Sequence, residues 1–231
     1  MKRSTCLLVG VLSILAFISY SGAAVINVSS LDGSSPGIGY DPDKPAPTVS
    51  SEGFHASGGV GNYNSVRFTP SSIGMTGLTL GEITAASYEA KNATAGTLDW
   101  RLKVYTVDQD GIGGAWYGVR VEAPTTASGT DYTLHPLTSY DRITAGDNSF
   151  NLYAPDPALY VQKDLAAGQQ VLFFDISAGA KTGGYAYDTT LQNISISRSD
   201  GTTSIISAVP EPSSIAAMIL CGIGLLRRHR R

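Results

Sequence analysis

Between its two ends this chain has no cysteine. Cys6 and Cys221 both lie in terminal segments, so disulfides cannot staple the roughly 185 residues between them, although an exported protein would be permitted them. Long runs of Ala, Glu, Leu and Lys are missing, which excludes long helices outside the ends. Charge is scarce, at 15% of residues. Between the ends ten basic residues face eighteen acidic ones, a net of −8. That balance keeps an exported domain soluble and excludes nucleic acid as a partner, because phosphate binding needs a basic stripe. Histidine is nearly absent: only His55 and His135 fall in the body, in segments the sequence does not bring together. No Gly-x-Ser-x-Gly elbow occurs. A nucleophilic triad is therefore not expected, and neither is an enzyme.

What remains is a β composition. Gly (26), Tyr (12), Thr and Ser are abundant. About 185 residues suit one β-sandwich, long enough to bury a core without covalent staples.

The N-terminus carries Lys2 and Arg3, then an apolar stretch from Leu7 to Ile18, then Ser21-Gly22-Ala23. This order marks a secretory signal helix over residues 1–23, cut by signal peptidase after Ala23 or, second, after Ala24. The apolar stretch of about 12 residues is short of the ~20 needed to span a bilayer, so a cleaved signal is favoured over an anchor.

The last 23 residues have three parts. Val209-Pro210-Glu211-Pro212-Ser213 is rigid and extended, because two prolines block helix there. Ile215–Leu226 forms a short apolar helix, and Arg227, Arg228, Arg230 and Arg231 close the chain around His229. Such a helix enters a membrane from outside, and its arginines stop on the cytoplasmic side. Twelve residues cover only about 18 Å of a ~30 Å hydrocarbon core, adequate for a temporary hold. This arrangement resembles the PEP-CTERM sorting tail of exported bacterial proteins. The resemblance covers residues 209–231 alone, with Pro210, Glu211 and Pro212 on the family motif. It implies an exosortase-type processing enzyme as partner, transient insertion in the membrane, and a destination in the cell envelope or extracellular matrix. It also implies a setting of exopolysaccharide and biofilm.

The body, residues 24–208, reads as strands. Leu98, Trp100, Leu102 and Val104 alternate with Asp99, Arg101 and Lys103, the period of a strand with one buried face. A Gly-rich turn follows, and residues 115–122 read as the return strand of a hairpin, with Tyr117, Val119 and Val121 on one face. Further strands are expected at 25–29, 65–69, 83–91, 131–137, 149–153, 170–176 and 192–198. Val171-Leu172-Phe173-Phe174 is apolar enough for a central strand covered on both faces. Residues 30–61, poor in apolar side chains, read as largely loop. The segment from Tyr187 to Ile196 resembles the last strand of jelly-roll, carbohydrate-binding-like domains. The expected fold is all-β: a two-sheet, jelly-roll-like sandwich flanked by the signal helix and the short C-terminal helix.

Asp108-x-Asp110-Gly111 is similar to the start of a calcium loop, but Ile112 and Val119 stand where ligands are required. A turn is the better reading and no cofactor is expected, with looser calcium binding left open. Trp100, Trp116, Tyr117 and Tyr105 are the candidates for a sugar platform, since flat aromatics stack on sugar faces, and Trp116 and Tyr117 are singled out as ligand contacts. Trp100, in register with Leu98 and Leu102, belongs to the core. Trp116 alternates with Gly118, Arg120 and Glu122 and should be exposed. The leading expectation is a non-catalytic envelope or matrix protein that contacts polysaccharide. The alternative is a secreted carbohydrate-binding module or glycan-active enzyme whose tail only sets its location.

Overall fold

The computed structural model describes residues 22–32, 37–108, 116–137, 142–145, 150–152, 167–179 and 185–208. The strands are β1 (Ala24–Val28), β2 (Ile38–Gly39), β3 (Thr48–Ser50), β4 (Gly53–Gly58), β5 (Tyr63–Phe68), β6 (Ile83–Asn92) and β7 (Trp100–Thr106). They continue as β8 (Val119–Glu122), β9 (Thr133–Pro136), β10 (Arg142–Ala145), β11 (Phe150–Leu152), β12 (Val171–Gly179), β13 (Tyr187–Arg198) and β14 (Thr203–Ala208). Two short 3-10 turns, Ser71–Ile73 and Leu80–Glu82, are the only helical pieces among the described residues.

These strands form two sheets, so the all-β, two-sheet sandwich expected from the sequence is present. Sheet I is built on β13. β6 lies along one side of it, with β9 beyond. On the other side β13 pairs with β4 through residues 187–191 and with β14 through residues 194–197. β3 and β1 complete that side. Sheet II runs β11-β10-β8-β7-β12-β5-β2. Every pairing is antiparallel except β1 with β14.

The core lies between the sheets and is aromatic. Phe54, Phe68, Tyr88, Trp100 and Phe174 are fully buried, and Phe68 and Phe174 stack at 4.9 Å. Trp100 is in the core as its alternation required. Its indole N–H donates to Thr189 Oγ1 at 3.0 Å, tying β7 of sheet II to β13 of sheet I. A buried indole needs such a partner.

Several expectations are corrected. Residues 30–61, read as largely loop, carry β2, β3 and β4. The β3–β4 hairpin turns at Gly53, whose φ of 135° and a would-be Cβ only 2.4 Å from Leu191 O exclude a side chain. The Tyr187–Ile196 segment is not the last strand but the centre of sheet I, with β14 after it. β12 is central in sheet II as expected, but its outward side is covered only in part, because Phe173 is half-exposed. Leu98, expected to share Trp100's buried face, precedes the strand and is 43% exposed. The signal helix and the C-terminal helix fall on residues outside those described. So do Asp110 and Gly111 of the calcium-like turn, and Val209 to Ser213 with the terminal arginines. Among the described residues no helix is long and apolar enough to cross a membrane.

Candidate functional site

Sheet II presents its outward face through alternation. In β5, Val66 and Phe68 enter the core, so Tyr63, Ser65 and Arg67 point out. In β12 the outward set is Phe173, Asp175 and Ser177; in β7 it is Arg101, Lys103 and Tyr105; in β8, Arg120 and Glu122. Register then lines these residues up. Asp175 lies opposite Arg67 on one side and Lys103 on the other, and Lys103 lies opposite Glu122. The row Arg67–Asp175–Lys103–Glu122 thus alternates in charge across four strands, the arrangement cross-strand pairs favour. The next row is aromatic: Phe173 opposite Tyr105, which lies opposite Arg120.

Trp116 extends the aromatic row. Its ring is nearly parallel to Phe173 (4°, centroids 5.9 Å apart) and stacks on Tyr105 at 5.3 Å. Phe173 and Tyr105 stack at 4.6 Å. Trp116 is 56% exposed, as its alternation with Gly118 and Arg120 predicted. Tyr117 is corrected: it is 1% exposed and cannot touch a ligand. Instead it packs its ring edge-on against Trp116 and Tyr105, at 4.6 and 5.2 Å, and braces the platform from beneath. The path of the chain here depends on Gly118. Its N–H donates to Thr106 O at 2.9 Å, and a Cβ would lie 2.7 Å from Val107 O. The next amide, Val119 N–H, donates to Thr106 Oγ1 at 2.7 Å. These contacts fasten the Trp116–Gly118 turn to the end of β7, beside Tyr105.

Beside the platform, Arg67 is the hub of a polar cluster. Its Nε donates to Asp175 Oδ2 at 2.7 Å and its Nη2 to Asp41 Oδ2 at 2.9 Å. Its guanidinium also lies 5.3 Å from the Phe173 ring centre, within cation–π range. Tyr63 donates to Asp41 Oδ2 at 2.6 Å. Burial pulls Arg67 towards neutrality, but Asp175 and Asp41 outweigh it and hold the guanidinium above its ordinary value. Burial likewise opposes the charge on Asp41, yet the Tyr63 hydroxyl, Arg67 and the Asp43 amide hold its carboxyl below the usual value. Burial, then Asp41, pushes the Tyr63 phenol well up; burial and Asp175 do the same for Tyr105. Both phenols are therefore neutral donors at any physiological pH. At the far end of the charged row, Arg101 Nη1 donates to Glu122 Oε2 at 3.0 Å. Arg120 Nε lies 2.7 Å from Glu122 Oε1, but its N–H is not aimed at that oxygen, so the contact is one of charge.

One carboxylate oxygen in this cluster is left over. Asp175 is 1% exposed and its Oδ1 has no hydrogen-bond partner among the described residues. An unsatisfied buried acceptor is costly and marks a position for a donor. A pocket of about 190 Å³ opens beside Arg67, lined also by Phe173, Thr69 and residues of the segment 37–42; Asp175 does not line it. Sequence reasoning named Trp116 and Tyr105 but not Arg67, Asp175, Phe173 or Asp41. Asp175 carried a signal, as a lone charge directly after the apolar run Val171–Phe174. Its partner lies 108 residues earlier and carried none. No group of metal-ligating side chains gathers among the described residues.

No protein-family model matches this chain, and the search of curated proteins finds no match. Among solved structures, the chain is similar to a family 11 carbohydrate-binding module from Clostridium thermocellum in complex with a β-1,3-1,4-mixed-linked tetrasaccharide. The two are 11% identical, over 69% of this chain and 78% of that one, with a TM-score of 0.36. It is similar to the same degree to the family 11 module of the cellulosomal cellulase Lic26A-Cel5E of C. thermocellum, at 11% identity and a TM-score of 0.36, covering 69% of this chain and 76% of that one. Likeness this distant carries no argument about what the present chain binds.

Proposed function

We propose that this protein is an exported, non-catalytic glycan-binding protein of the cell envelope or matrix, which lays a polysaccharide across the outward face of sheet II. The observation that carries this reading is the exposed Trp116 ring, stacked with Tyr105 and Phe173 and bordered by Arg67. A sugar needs a flat apolar surface for its C–H face and polar groups at its hydroxyl edge. Here the aromatic row supplies the first. The second comes from Arg67 and Lys103 as donors.

The terminal segments supply the address in this proposal. Signal peptidase releases the body at Ala23 or Ala24, and an exosortase-type enzyme acts at Val209–Ser213 while the apolar helix and terminal arginines hold the tail in the membrane.

Retention on insoluble polysaccharide tests the reading. Saturable binding to at least one polymer is expected. Trp116→Ala should weaken it roughly tenfold, the equivalent of about 1.5 kcal/mol of aromatic stacking. Its effect on the thermal midpoint should be small, because Trp116 is largely exposed. Failure to bind any polymer, or equal binding by Trp116→Ala, rejects the site.

A further inference from the structure

The charges of the body are unevenly placed. Of its ten basic residues, four (Arg67, Arg101, Lys103 and Arg120) stand on the outward face of the strands β5, β12, β7 and β8. Of its eighteen acidic residues, only Asp175 and Glu122 stand there. This face therefore carries two surplus positive charges on a body whose net is −8. Depth sharpens the contrast. Both acids are buried, whereas all four cations reach solvent in part. The adjoining segment contributes Asp41, which is paired with Arg67, together with Asp43 and Lys44, and Asp108 follows the end of β7. The surplus thus belongs to the middle of β7 and β8 and not to the whole sheet.

Lys103 is the cation left without an acid. Register sets it opposite both Asp175 and Glu122. Asp175 Oδ2 is taken by Arg67, and Asp175 Oδ1 receives no donor, from Lys103 or from any other described residue. Glu122 is shared between Arg101 at Oε2 and Arg120 at Oε1. The Lys103 ammonium makes no ion pair among the described residues and lies instead 5.9 Å from the centre of the Tyr63 ring. Around Glu122, then, three cations face one carboxylate. Lys103 and Tyr105 are two residues apart on one face of β7, about 7 Å along the strand. The unpaired ammonium therefore borders the aromatic row, and Arg120 closes that row opposite Tyr105. A cation without a counter-ion beside a stacking surface selects a partner that brings negative charge to that edge.

Resting on the reading of this face as glycan-binding, we propose that the polymer it takes is acidic: a polysaccharide whose sugars carry carboxylates, as uronic acids do. A ring stacked on Trp116 and Tyr105 sets its carboxylate towards Lys103 and Arg120, while Glu122 and Asp175 stay buried beneath the surface. Two surplus charges suffice for a carboxylate at the sugar edge. They do not make the basic stripe that a duplex nucleic acid needs.

The test compares soluble polymers that share a backbone and differ in charge: polygalacturonate against its methyl ester, and carboxymethylcellulose against hydroxyethylcellulose. The full-length chain is titrated with each. In at least one pair the acidic member should bind about tenfold more tightly at low salt, and the preference should fade as salt rises to about 0.5 M. Lys103→Gln should weaken the acidic member by about fivefold and its neutral partner by less, and Lys103→Arg should restore the preference. Trp116→Ala should weaken both members of the pair. Equal or tighter binding of the neutral members, still lost in Trp116→Ala, overturns the acidic preference and leaves the glycan-binding reading standing. Acidic binding that is indifferent to Trp116→Ala or to Lys103→Gln overturns the placement on this face. Equally tight binding of duplex DNA overturns the inference as well, since the face would then select charge alone. Failure of all four polymers overturns it too, and retention on insoluble polysaccharide then decides the wider reading separately.

Discussion

Asp41 shows how a single residue couples the candidate site to the stability of the fold. It is nearly buried, accepts from Tyr63 and Arg67, and caps its own turn by accepting the Asp43 N–H at 3.2 Å. Burial alone would raise its carboxyl. The hydroxyl, the guanidinium and the amide outweigh burial and hold it below the ordinary 3.8. A group depressed in the folded state contributes stability that is complete above its unfolded value and is lost as pH falls through its folded value. The difference in urea midpoint between the native chain and Asp41→Asn should therefore be constant from pH 7 to about 5. It should shrink as the pH drops below 3.8. A difference that persists unchanged to pH 2 would mean that the ionised Asp41 does not hold this corner.

At the scale of elements, the strand that matters most is β13. It pairs with β4 as far as Leu191 and with β14 from Ile194, so one strand serves two partners on the same side. The register shifts between Gln192 and Ser195, and Asn193 sits there with φ 49°, the single non-glycine residue at positive φ among those described. Asparagine tolerates that conformation better than most residues, and a bulge is where a strand is re-aimed. Its side chain also works: Nδ2 donates to Glu89 Oε2 at 2.9 Å, and Oδ1 accepts from Ser207 Oγ at 2.9 Å. The side chain thus spans β6, β13 and β14. Asn193→Ala keeps the unfavourable φ and loses both bonds, so it should cost about 2 kcal/mol by urea denaturation. Asn193→Gly relieves φ and loses the same bonds, so it should cost less. Equal losses in the two variants would remove backbone strain from this account.

The same strand marks the limit of what the sequence discloses. The alternation around Trp100 was legible because one face is buried, and so were the exposure of Trp116 and the β7–β8 hairpin. β2 and β3 were not, because short edge strands among Gly, Ser and Pro bury too little to leave a periodic trace, and β4, inside sheet I, offers only Phe54 and Ala56 as its inward apolar side chains. The site was half legible for a related reason. Its aromatic member is local, whereas Arg67, Asp175 and Asp41 meet only through register between distant strands.

At the scale of the whole molecule, the ends of the sandwich bear directly on the export proposal. β1 begins at Ala24 and runs parallel to β14, which ends at Ala208; Ala24 is opposite Ser204 and Val28 opposite Ala208. Gly22 and Ala23 precede the strand and are exposed, so a peptidase can reach them without opening the sheet. Cleavage after Ala23 leaves β1 whole, and cleavage after Ala24 removes one residue of a five-residue pairing. At the other end β14 stops one residue before Val209, so cutting at the Pro-Glu-Pro element removes no residue of a described strand. Both processing steps are thus compatible with the described strands staying intact, and the proposed glycan-binding face of sheet II would survive maturation. Mass spectrometry of the protein from its own host reads this directly. On the sorting proposal the mature chain starts at Ala24 or Val25 and stops near Pro210 to Pro212. A chain that still carries Ile215 to Arg231 would instead make the tail a lasting anchor, and the molecule would bind glycan while tethered to the membrane. A start beyond Val28 would rule out both versions, because it would strip β1 from β14 and leave that edge of sheet I unpaired.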